Sequence, residues 1–375
     1  MTNIYLIRHM QAEGNLFRLM QGNWDGVPTA LGLRQAELLG ERFRETKLDA
    51  VYSSDLCRAV MTAEALLRRH ALTLRQDARL REINVGPWEG RFFGDLLHEE
   101  PERIRRYLQR EDGWEQPGAE RYSEVTDRAW RAIEEILRAC EGKTVAVVSH
   151  GVTIRCLLAK MLRIGKGDPE RLPIGGNTAV SLLHYDGERF TSEYLGDCSH
   201  LEPLHLPAWD AAPNLWAETI DPRREADFYT ACYADAWRCS HGSLRGFDAG
   251  TYLDAAAAHH EADGKSVLLL WAEDACAGLL DLDTRRGENE GYGWVSLAYL
   301  KPEFRGRGAG IQLLGRAVSH YRALGRRSLR LTVAEDNAAA LAFYRRWGFQ
   351  QLGAERGETG RMLIMEKTIG GPGYV

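Results

Sequence analysis

Short runs of β-forming residues alternate with longer amphipathic stretches from Ile4 to about Leu195, and this alternation restricts the fold more than any other feature of the chain. In Ala30–Arg44, leucines recur at helical spacing on one side, while arginines and glutamates occupy the other. Strands that alternate with helices form βαβ units, in which helices cover both faces of a largely parallel sheet. We therefore expect a three-layer α/β/α domain with a mostly parallel sheet in the first half. The predicted strands are Ile4–Ile7, Ala50–Ser53, Thr73–Arg75 and Thr144–Ser149, followed by a hairpin of Thr178–His184 and Glu188–Tyr194.

A second domain is predicted after a proline-rich stretch. The chain has 375 residues, which is more than one hydrophobic core usually serves. Four prolines, the last of them Pro222, lie in the stretch from Asp197 to Pro222, which has no clear hydrophobic period. We place a linker at 201–212, between a first domain at 1–200 and a second at 213–375.

Composition and charge exclude several classes of protein. The 48 Lys and Arg residues against 53 Asp and Glu residues give a net charge of −5, without the cationic surplus that nucleic-acid binding needs. No run approaches the ~20 apolar residues that span a bilayer, and the N-terminus is typical of a strand, not of a signal peptide. Seven cysteines without CxxC pairs are typical of reduced thiols. We expect a cytoplasmic protein that binds neither nucleic acid nor membrane, with a homodimer as one option for its oligomeric state.

A metal site is not expected from the sequence. Cys232, Cys239 and His241 are the nearest approach to a set of zinc ligands, but their spacing matches no familiar zinc site. Cysteines buried in a helix are the ordinary explanation of such a pattern.

Basic and imidazole side chains follow several of the predicted strands. Arg8 and His9 come directly after the first strand, and His150 stands in the same relation to a later one. Arg58 opens the helix after the second strand, and Glu82 lies in a further strand-to-loop passage. Because the loops beyond the carboxyl ends of parallel strands form a crevice, these side chains can meet at one edge of the sheet.

The motifs around these residues resemble the signature of the histidine phosphatase (phosphoglycerate mutase-like) superfamily over roughly residues 1–200. The motifs are Leu6-Ile7-Arg8-His9 continuing to Gly14-Asn15, Ser53-Ser54-Asp55 with Arg58, Glu82 ahead of Gly86-Pro87-Trp88-Glu89-Gly90, and Val148-Ser149-His150-Gly151. The resemblance implies a phosphoglycerate mutase-like fold and a small phosphomonoester as substrate, hydrolysed through a phosphohistidine.

The chemistry of a phosphomonoester agrees with this resemblance. The group carries a charge close to −2 near neutral pH, and clustered cations bind it through charge-assisted hydrogen bonds. The resemblance implies His9 as the nucleophile and Glu82 as the acid that protonates the leaving group. It requires no metal or cofactor in this domain. The implied phosphate-binding residues are Arg8, His9, Asn15, Gln21, Arg58 and His150.

Two departures and one alternative reaction accompany this resemblance. Met10 stands where the family usually has Gly, and Arg121 stands where Ser is common. A phosphoglycerate-type mutase is the alternative to a phosphatase, although the segment after Glu82 is more similar to the phosphatase branch. The insertion Phe92–Trp114 could form a cap that selects acidic phosphorylated metabolites, or its arginines could belong to a solvated helix face. These arginines are Arg103, Arg105, Arg106 and Arg110.

A glycine-rich turn marks a second candidate site. Arg305-Gly306-Arg307-Gly308-Ala309-Gly310 follows the predicted strand Gly293–Leu300 and opens a helix. Backbone N–H groups in such a turn, together with the positive end of the helix, can hold a pyrophosphate. With Asn337 and the segment Ala340–Phe349, the turn resembles the acetyl-coenzyme A loop and closing motif of the GNAT N-acetyltransferase family, over roughly residues 213–370.

This second resemblance implies a GNAT α/β domain with a mixed, mostly antiparallel sheet, acetyl-coenzyme A as the cofactor and an amine as the acceptor. It implies that the cofactor lies along the strand at Ala298 and Leu300 and beside Asn337, and that Tyr344 protonates the departing thiolate. Helix packing is the alternative explanation of Tyr344. A non-catalytic acetyl-coenzyme A module that regulates the phosphatase is the alternative for the whole domain. The carboxylate base stays open among Glu273, Asp281 and Asp283.

Overall fold

The structure is a computed structural model that describes residues 1–110, 113–164, 172–204, 212–357 and 360–370. The described residues divide into two compact units. One lies within Met1–Phe92 and Glu99–Ala208, and the other within Phe93–His98 and Trp209–Val375. Most of the predicted linker at 201–212 falls outside the described residues, and Ser199–Leu204 form a 3-10 helix just before them.

The first unit contains a six-stranded sheet in the order β3-β2-β4-β1-β5-β6. The first four strands in this order run parallel, and β5 and β6 add an antiparallel hairpin at one edge. The mostly parallel sheet and its closing hairpin are confirmed. The strands are β1 Thr2–Arg8, β2 Ala50–Ser53, β3 Leu74–Gln76, β4 Thr144–Ser149, β5 Val180–Tyr185 and β6 Phe190–Asp197.

Helices cover both faces of this sheet because its strands are apolar on both sides. On β1, Ile4 and Leu6 face a cluster that includes residues of the helices Tyr122–Ala139 and Gly151–Met161. Ile7 faces a cluster that includes residues of the helices Ala30–Arg42 and Cys57–Leu67. The predicted three-layer α/β/α arrangement is therefore confirmed. The α-helices of the described residues before β5 are α1 Glu13–Phe17, α2 Ala30–Arg42, α3 Cys57–Leu67, α4 Phe93–Glu99, α5 Pro101–Gln109, α6 Tyr122–Ala139 and α7 Gly151–Met161.

The second unit contains a seven-stranded sheet in the order β12-β13-β11-β10-β9-β8-β7. Only β10 and β11 run parallel, so the predicted mixed and mostly antiparallel sheet is confirmed. The strands are β7 Leu215–Thr219, β8 Val267–Ala272, β9 Ala275–Asp283, β10 Tyr292–Leu300, β11 Ser328–Ala334, β12 Gln350–Arg356 and β13 Arg361–Thr368. The helices are α8 Ala226–His241, α9 Ala249–Ala262, α10 Gly310–Ala323 and α11 Ala338–Arg346.

Most of α4 belongs to the second unit, although it lies far from the rest of that unit in the sequence. The Asp95 carboxylate accepts hydrogen bonds from both terminal nitrogens of Arg316, at 2.7 and 3.0 Å, and from the backbone N–H of Ala217 at 3.0 Å. The ring of His98 stacks on Trp216 with 3.6 Å between the ring centroids. Since the Arg316 side chain is buried, this ion pair neutralises a charge that would otherwise destabilise the unit.

No helix among the described residues is both long enough and apolar enough to cross a bilayer.

Candidate functional site

His9 and His150 lie side by side because they follow neighbouring parallel strands. β1 pairs with β4 in register from Asn3 with Thr144 to Arg8 with Ser149, so both chains leave the sheet at the same edge. The backbone N–H of His9 donates to Ser149 O at 2.9 Å, which continues this pairing by one more step. The two imidazole ring centroids are 5.0 Å apart. The two histidines therefore lie together at one edge of the sheet.

The local contacts of His9 leave one ring nitrogen available for reaction. Its Nδ1 lies 2.7 Å from Met10 O, and a carbonyl oxygen can only accept, so Nδ1 carries the proton. Nε2 then holds the free lone pair. Burial lowers the pKa of His9 well below its usual value, and the nearby positive charges of Arg58 and Arg8 lower it further. The ring is therefore neutral at neutral pH, as a nucleophile must be.

His150 is fully buried at the N-terminus of α7. Among the described residues, neither of its ring nitrogens has a hydrogen-bond partner. Burial and the charge of Arg58 lower the pKa of His150 well below its usual value. A buried imidazole with two unpartnered nitrogens is costly unless a ligand provides the missing partner.

Arg8 and Arg58 are each held by backbone carbonyls and each keep one free N–H group. Arg8 donates from one terminal nitrogen to Gly175 O at 2.9 Å. Arg58 donates from its two terminal nitrogens to Gly22 O and Trp24 O, at 2.7 and 2.9 Å, and its side chain is fully buried. In the part of the chain that the structure describes, Nε of both arginines is buried without a partner. Two fixed cations with unused donors, next to His150, form a site that suits a small anion.

Glu82 reaches the same edge from the loop that follows β3. Its carboxylate accepts the backbone N–H groups of Val152 and Thr153, both at 3.1 Å, in the first turn of α7. The N-terminus of a helix favours a negative group at this position. A Cβ atom built on Gly151 would lie 3.7 Å from Glu82 Oε2 and 3.8 Å from Arg8 Nε, so the carboxylate and the guanidinium face the same point.

Arg128 on α6 fixes the backbone that carries Glu82. Its guanidinium donates to the carbonyl oxygens of Arg79, Arg81 and Glu82 at 2.7 to 2.9 Å. It also forms an ion pair with Glu120 at 2.6 Å. This network holds the loop in place, so that the Glu82 side chain projects toward α7.

Asn15 and Gln21 lie around His9 in the loop that contains α1. The side-chain amide of Asn177 donates to His9 O at 3.0 Å and to Asn15 Oδ1 at 3.3 Å, which places Asn15 beside the histidine. Gln21 packs against Gly14, and its buried Oε1 has no partner among the described residues. Gly22 follows Gln21 directly and accepts from Arg58, which brings Gln21 to the edge of the same cluster.

Sequence reasoning missed Asn177 and Thr178, which both donate hydrogen bonds to the backbone carbonyl of His9. The backbone N–H of Thr178 donates to Arg8 O at 3.1 Å and to His9 O at 3.3 Å. Thr178 adopts a φ of 61°, which is uncommon for a β-branched residue and is typical of a strained functional turn. The signal available in the sequence was the Gly175-Gly176-Asn177 turn before β5, which resembles an ordinary loop.

The two departures from the family pattern lie away from the cluster of free donors. The Met10 side chain is buried with Ala36 and Ala65 in a hydrophobic cluster, so the core accommodates the additional side chain. Arg121 is the residue before α6; its backbone N–H donates to Glu124 and its guanidinium to Glu115. Both residues therefore have ordinary structural explanations in this chain.

The second candidate site begins where β10 and β11 separate. These parallel strands pair only from Tyr292 with Ser328 to Trp294 with Arg330, although β10 continues to Leu300. Just beyond this point β10 has a bulge between Val295 and Leu297 on its β9 side. The strands therefore diverge toward the glycine-rich turn, and the β10 backbone from 295 onward has no ladder partner on β11. This section includes Ala298 and Leu300.

The glycine-rich turn presents open backbone at the start of α10. Gly306 and Gly308 adopt φ values of 72° and 78°, a region that favours glycine. Among the described residues, a Cβ on Gly306 would meet nothing within 4 Å, and one on Gly308 would meet Ala212 at 3.5 Å. Arg307 is exposed, whereas Ala309 is buried and Gly310 begins the helix. An open turn at the N-terminus of a helix suits a phosphate group, so the residues present fit the pyrophosphate of acetyl-coenzyme A.

The Arg305 side chain is bound elsewhere within the same unit. Its Nε donates to Leu300 O at 2.7 Å, and one terminal nitrogen donates to Asp235 at 3.1 Å. The other terminal nitrogen lies 3.3 Å from Cys239 Sγ. Arg305 therefore joins the end of β10 to α8, and only its backbone remains for the turn.

Asn337 and Tyr344 both lie on or next to α11. Asn337 caps this helix, because its side-chain oxygen accepts the backbone N–H of Ala340 at 3.1 Å. The Tyr344 ring contacts Phe343 and Phe349, and burial raises the pKa of Tyr344 to about 12. Its hydroxyl is therefore protonated at neutral pH and can donate a proton.

The three candidate bases differ sharply in their surroundings. Glu273 is exposed in the turn between β8 and β9. Asp281 is buried and accepts from the Tyr229 hydroxyl and from His259, each at 2.7 Å. The hydrogen bond from His259 and two backbone N–H groups lower the pKa of Asp283 to about 2. Neither aspartate is therefore arranged to take a proton from an amine.

The stability of the second unit should depend on the charge of His259. Burial alone would lower the pKa of His259, but hydrogen bonds with Asp281 and Asp283 raise it to about 9. Because the pKa of His259 is higher in the folded state than in the unfolded state, its protonated imidazole stabilises the fold. This contribution to the free energy of unfolding, about 3 kcal/mol, is complete below pH ~6.5 and is lost as the pH rises through 9. We expect the calorimetric transition of this unit to move to lower temperature between pH 6.5 and pH 9. His259→Gln should flatten this dependence, and His260→Gln, at the next position of α9, should not. A pH dependence that His259→Gln leaves intact would exclude this histidine as its source.

Comparison with known proteins separates the chain into the same two parts. Residues 4–198 match the family model described as Histidine phosphatase superfamily (branch 1), and residues 229–349 match the model of the Acetyltransferase (GNAT) family. Relatives from Salmonella choleraesuis and Salmonella enteritidis, each named probable phosphoglycerate mutase GpmB, are 35% identical over 217 residues. These matches cover 56% of this chain and 98% of each relative. Among solved structures, YhfR of Bacillus stearothermophilus is 33% identical with a TM-score of 0.52, covering 54% of this chain and 100% of YhfR.

Proposed function

Because the chain belongs to the histidine phosphatase superfamily and also contains a GNAT acetyltransferase domain, we propose that it is bifunctional. The first activity is hydrolysis of a small phosphomonoester through a phosphohistidine. The second is the transfer of an acetyl group from acetyl-coenzyme A to an amine. The unpartnered donors around His9 are the observation that carries the first proposal.

The phosphoryl group binds among Arg8, Arg58 and His150. Nε of each arginine and the protonated ring nitrogen of the neutral His150 supply donors that the phosphoryl oxygens need. These groups are fixed before the substrate arrives, because backbone carbonyls already hold both guanidinium groups. Fixed donors stabilise the charge on the equatorial oxygens in the transition state without reorganisation. Asn15 and Gln21, at the edge of the cluster, supply neutral contacts.

His9 attacks phosphorus through Nε2. Met10 O holds the proton on Nδ1, so the attacking nitrogen has its lone pair free and the ring is correctly oriented. The new N–P bond forms as the ester P–O bond breaks, which gives a phosphohistidine and an alcohol. Glu82 supplies the proton that the leaving oxygen takes up. The same carboxylate then removes a proton from the water that hydrolyses the phosphohistidine.

Trapping of the phosphoenzyme tests this reaction. Incubation with labelled substrate, followed by rapid denaturation, should give acid-labile and base-stable radioactivity on the peptide that contains His9. Release of one phosphate per substrate consumed is expected. Label on a different residue, or none during turnover, would exclude the proposed nucleophile.

A mutase is the second candidate for this site, because the relatives from Salmonella are named probable phosphoglycerate mutase. The two reactions share the phosphohistidine and differ in the group that accepts the phosphoryl. Incubation with 3-phosphoglycerate separates them by product: a phosphatase gives glycerate and free phosphate, and a mutase gives 2-phosphoglycerate. We expect free phosphate.

In the second unit, acetyl-coenzyme A supplies the acetyl thioester, and this chain binds and orients it. The glycine-rich turn from Arg305 to Gly310 offers backbone N–H groups for the pyrophosphate, and the unpaired edge of β10 offers backbone groups to the pantetheine arm. Ala298 and Leu300 lie on that edge, and Asn337 lies at the start of α11. Tyr344 donates its hydroxyl proton to the departing thiolate.

Placing a negative charge in the glycine-rich turn should weaken cofactor binding. We expect Gly308→Glu to lower the affinity for acetyl-coenzyme A about tenfold or more, because a carboxylate repels the pyrophosphate and a side chain strains the positive φ. Gly325→Glu is the matched control, since Gly325, at the opposite end of α10, has a φ of 72° and no described residue within 4 Å of its Cβ position. Titration calorimetry on the full chain measures both variants. Equal affinities for the two would relocate the binding site.

An acetyl-coenzyme A sensor that regulates the phosphatase is the alternative from another class. Cofactor binding without acetylation of any member of an amine panel would favour this alternative. Loss of transfer activity in Tyr344→Phe with cofactor affinity retained would favour catalysis.

A homodimer remains a prediction that analytical ultracentrifugation can test.

A further inference from the structure

His200, in the 3-10 helix Ser199–Leu204 of the first unit, contacts side chains from two other elements. Its Nδ1 lies 3.2 Å from a terminal nitrogen of Arg42, in the last turn of α2. Its Nε2 lies 3.0 Å from Thr178 Oγ1, just before β5. The same nitrogen of Arg42 also pairs with the Asp197 carboxylate. His200 therefore joins α2 to the turn that precedes β5.

The donors fix the direction of each hydrogen bond to His200. A guanidinium group can only donate, so Nδ1 accepts from Arg42 and carries no proton. Burial and the charge of Arg42 lower the pKa of His200 to about 4, so the ring is neutral at neutral pH. Nε2 therefore carries the proton and donates to Thr178 Oγ1. The Thr178 hydroxyl in turn donates to Asn177 O at 2.7 Å. One continuous chain of hydrogen bonds thus runs from Arg42 to the Asn177 carbonyl.

Thr178 adopts a backbone conformation that is rare for a β-branched residue. Its φ is 61°, and the residue is fully buried. Such a conformation persists only where the surrounding contacts fix it. The Thr178 hydroxyl is bound on both sides, because it accepts from His200 and donates to Asn177 O. His200 therefore supplies one of the contacts that hold the turn in this conformation.

The turn in its present conformation fixes the peptide between His9 and Met10. The backbone N–H of Thr178 and the side-chain amide of Asn177 both donate to His9 O, at 3.3 and 3.0 Å. At the other end of the same peptide, the Met10 N–H donates to Thr62 Oγ1 at 2.9 Å. The His9 ring is bound in turn to Met10 O. A rotation of this peptide would therefore change the direction in which Nε2 of His9 points.

We propose that His200 is a positioning residue, which acts through Thr178 to hold Nε2 of His9 in line with the ester bond that breaks. The inference rests on the proposed phosphatase activity and adds to it a residue that the sequence did not indicate. A displacement of about 1 Å in a reacting group can cost about a hundredfold in rate. Binding of the phosphoryl group should depend on His200 much less, because Arg58 is held by backbone carbonyls outside this turn.

Two substitutions at His200 separate its two contacts. The side-chain amide nitrogen of Gln occupies about the position of Nε2, so His200→Gln keeps a donor for Thr178. The shorter side chain of Asn reaches only to about the position of Nδ1, so His200→Asn keeps a contact with Arg42 and loses the one with Thr178. We expect His200→Asn to lower the rate of phosphohistidine formation about tenfold, and His200→Gln to lower it less than about twofold. Rapid-quench single turnovers of p-nitrophenyl phosphate by the full chain measure this rate.

The inhibition constant of inorganic phosphate separates positioning from a general loss of structure. We expect His200→Asn to leave this constant within about twofold of the wild-type value, because the donors that bind phosphate remain in place. His184→Asn is the matched control. The two ring nitrogens of His184 also bond side chains, those of Asn3 and Glu193, near the opposite end of β5. This control should leave both the rate and the inhibition constant unchanged.

Thr178→Val tests the same link from its other side. It removes the hydroxyl that His200 binds and should slow phosphohistidine formation to a similar extent. The double variant with His200→Asn should be no slower than Thr178→Val alone, because both substitutions break one link. Circular dichroism checks folding, and Thr178→Val replaces His200→Asn if the latter does not fold.

Several outcomes would overturn the proposal. They are an unchanged rate in His200→Asn, an equal loss of rate in His200→Gln, and additive effects in the double variant. A phosphate inhibition constant that rises in proportion to the loss of rate would also overturn it, since binding and attack would then depend on His200 alike.

Failure of the proposed phosphatase activity gives a different result. In that case the wild type forms no phosphohistidine, and the link is measured on the imidazole itself by NMR of the full chain with isotope-labelled histidine. The ring signals of His9, assigned with His9→Ala, should shift in His200→Asn and stay in place in His184→Asn. A shift without turnover would support the link and reject the phosphatase. Turnover at equal rates in all variants would do the reverse.

Discussion

His9→Ala is expected to lower the turnover of p-nitrophenyl phosphate by on the order of 10⁴-fold or more, as the loss of a covalent nucleophile generally does. The methyl group of alanine cannot form the N–P bond, and the neighbouring imidazole of His150 has its ring centroid 5.0 Å from that of His9. The acid-labile phosphoenzyme should disappear as well. Stopped assays for released phosphate and gel autoradiography of the labelled protein measure the two effects.

The control for this variant is His70→Ala. His70 belongs to the same unit, follows the end of α3 and hydrogen-bonds to Phe43 O. This variant should retain turnover. Substantial hydrolysis by His9→Ala, with a phosphoenzyme of unchanged stability, would show that another residue receives the phosphoryl group. The buried donors around the site would then need a different explanation.

Glu82→Gln is expected to have the second largest effect, and its size should depend on the leaving group. The amide has nearly the shape of the carboxylate and keeps one oxygen for the N–H groups of Val152 and Thr153. It cannot donate a proton as an acid, so turnover of an alkyl ester such as glycerol 3-phosphate should fall by ~10²- to 10⁴-fold. p-Nitrophenolate leaves without protonation, so the first turnover with its ester should be much less affected.

A rapid-mixing experiment separates the two steps that involve Glu82. With p-nitrophenyl phosphate, Glu82→Gln should give a burst of p-nitrophenolate followed by a slow phase, because hydrolysis of the phosphohistidine lacks its base. Glu64→Gln, on the exposed side of α3, should behave like the wild type. Equal losses for both esters in the first turnover would remove Glu82 from the role of acid.

The sequence predicted the strands and the second helix of the first unit because hydrophobic periodicity is a local property. The helix predicted at Ala30–Arg44 is Ala30–Arg42 in the structure, and the strand at Thr144–Ser149 has the predicted bounds. Apolar residues on both sides of β1 and β4 also determine that helices cover both faces of the sheet. The strand β7 was missed, since Leu215–Thr219 is short and follows a proline-rich stretch.

The candidate site was predictable only in part. Arg8, His9 and His150 were recognisable because each lies at or just after the end of a strand, in a characteristic motif. Asn177 and Thr178 were not, because a loop residue gains its role from the backbone atoms against which it folds.

The sequence by itself determined the two fold classes and the residue types of the reacting groups, since strand and helix periods and short motifs are encoded by neighbouring residues. Only the tertiary structure decided which side chains share a site. It fixed the distance of 5.0 Å between the ring centroids of His9 and His150, turned Arg305 toward Asp235 and placed Asp95 against Arg316. Those outcomes depend on packing between segments up to about 220 positions apart, as for Asp95 and Arg316, and no local pattern records that packing.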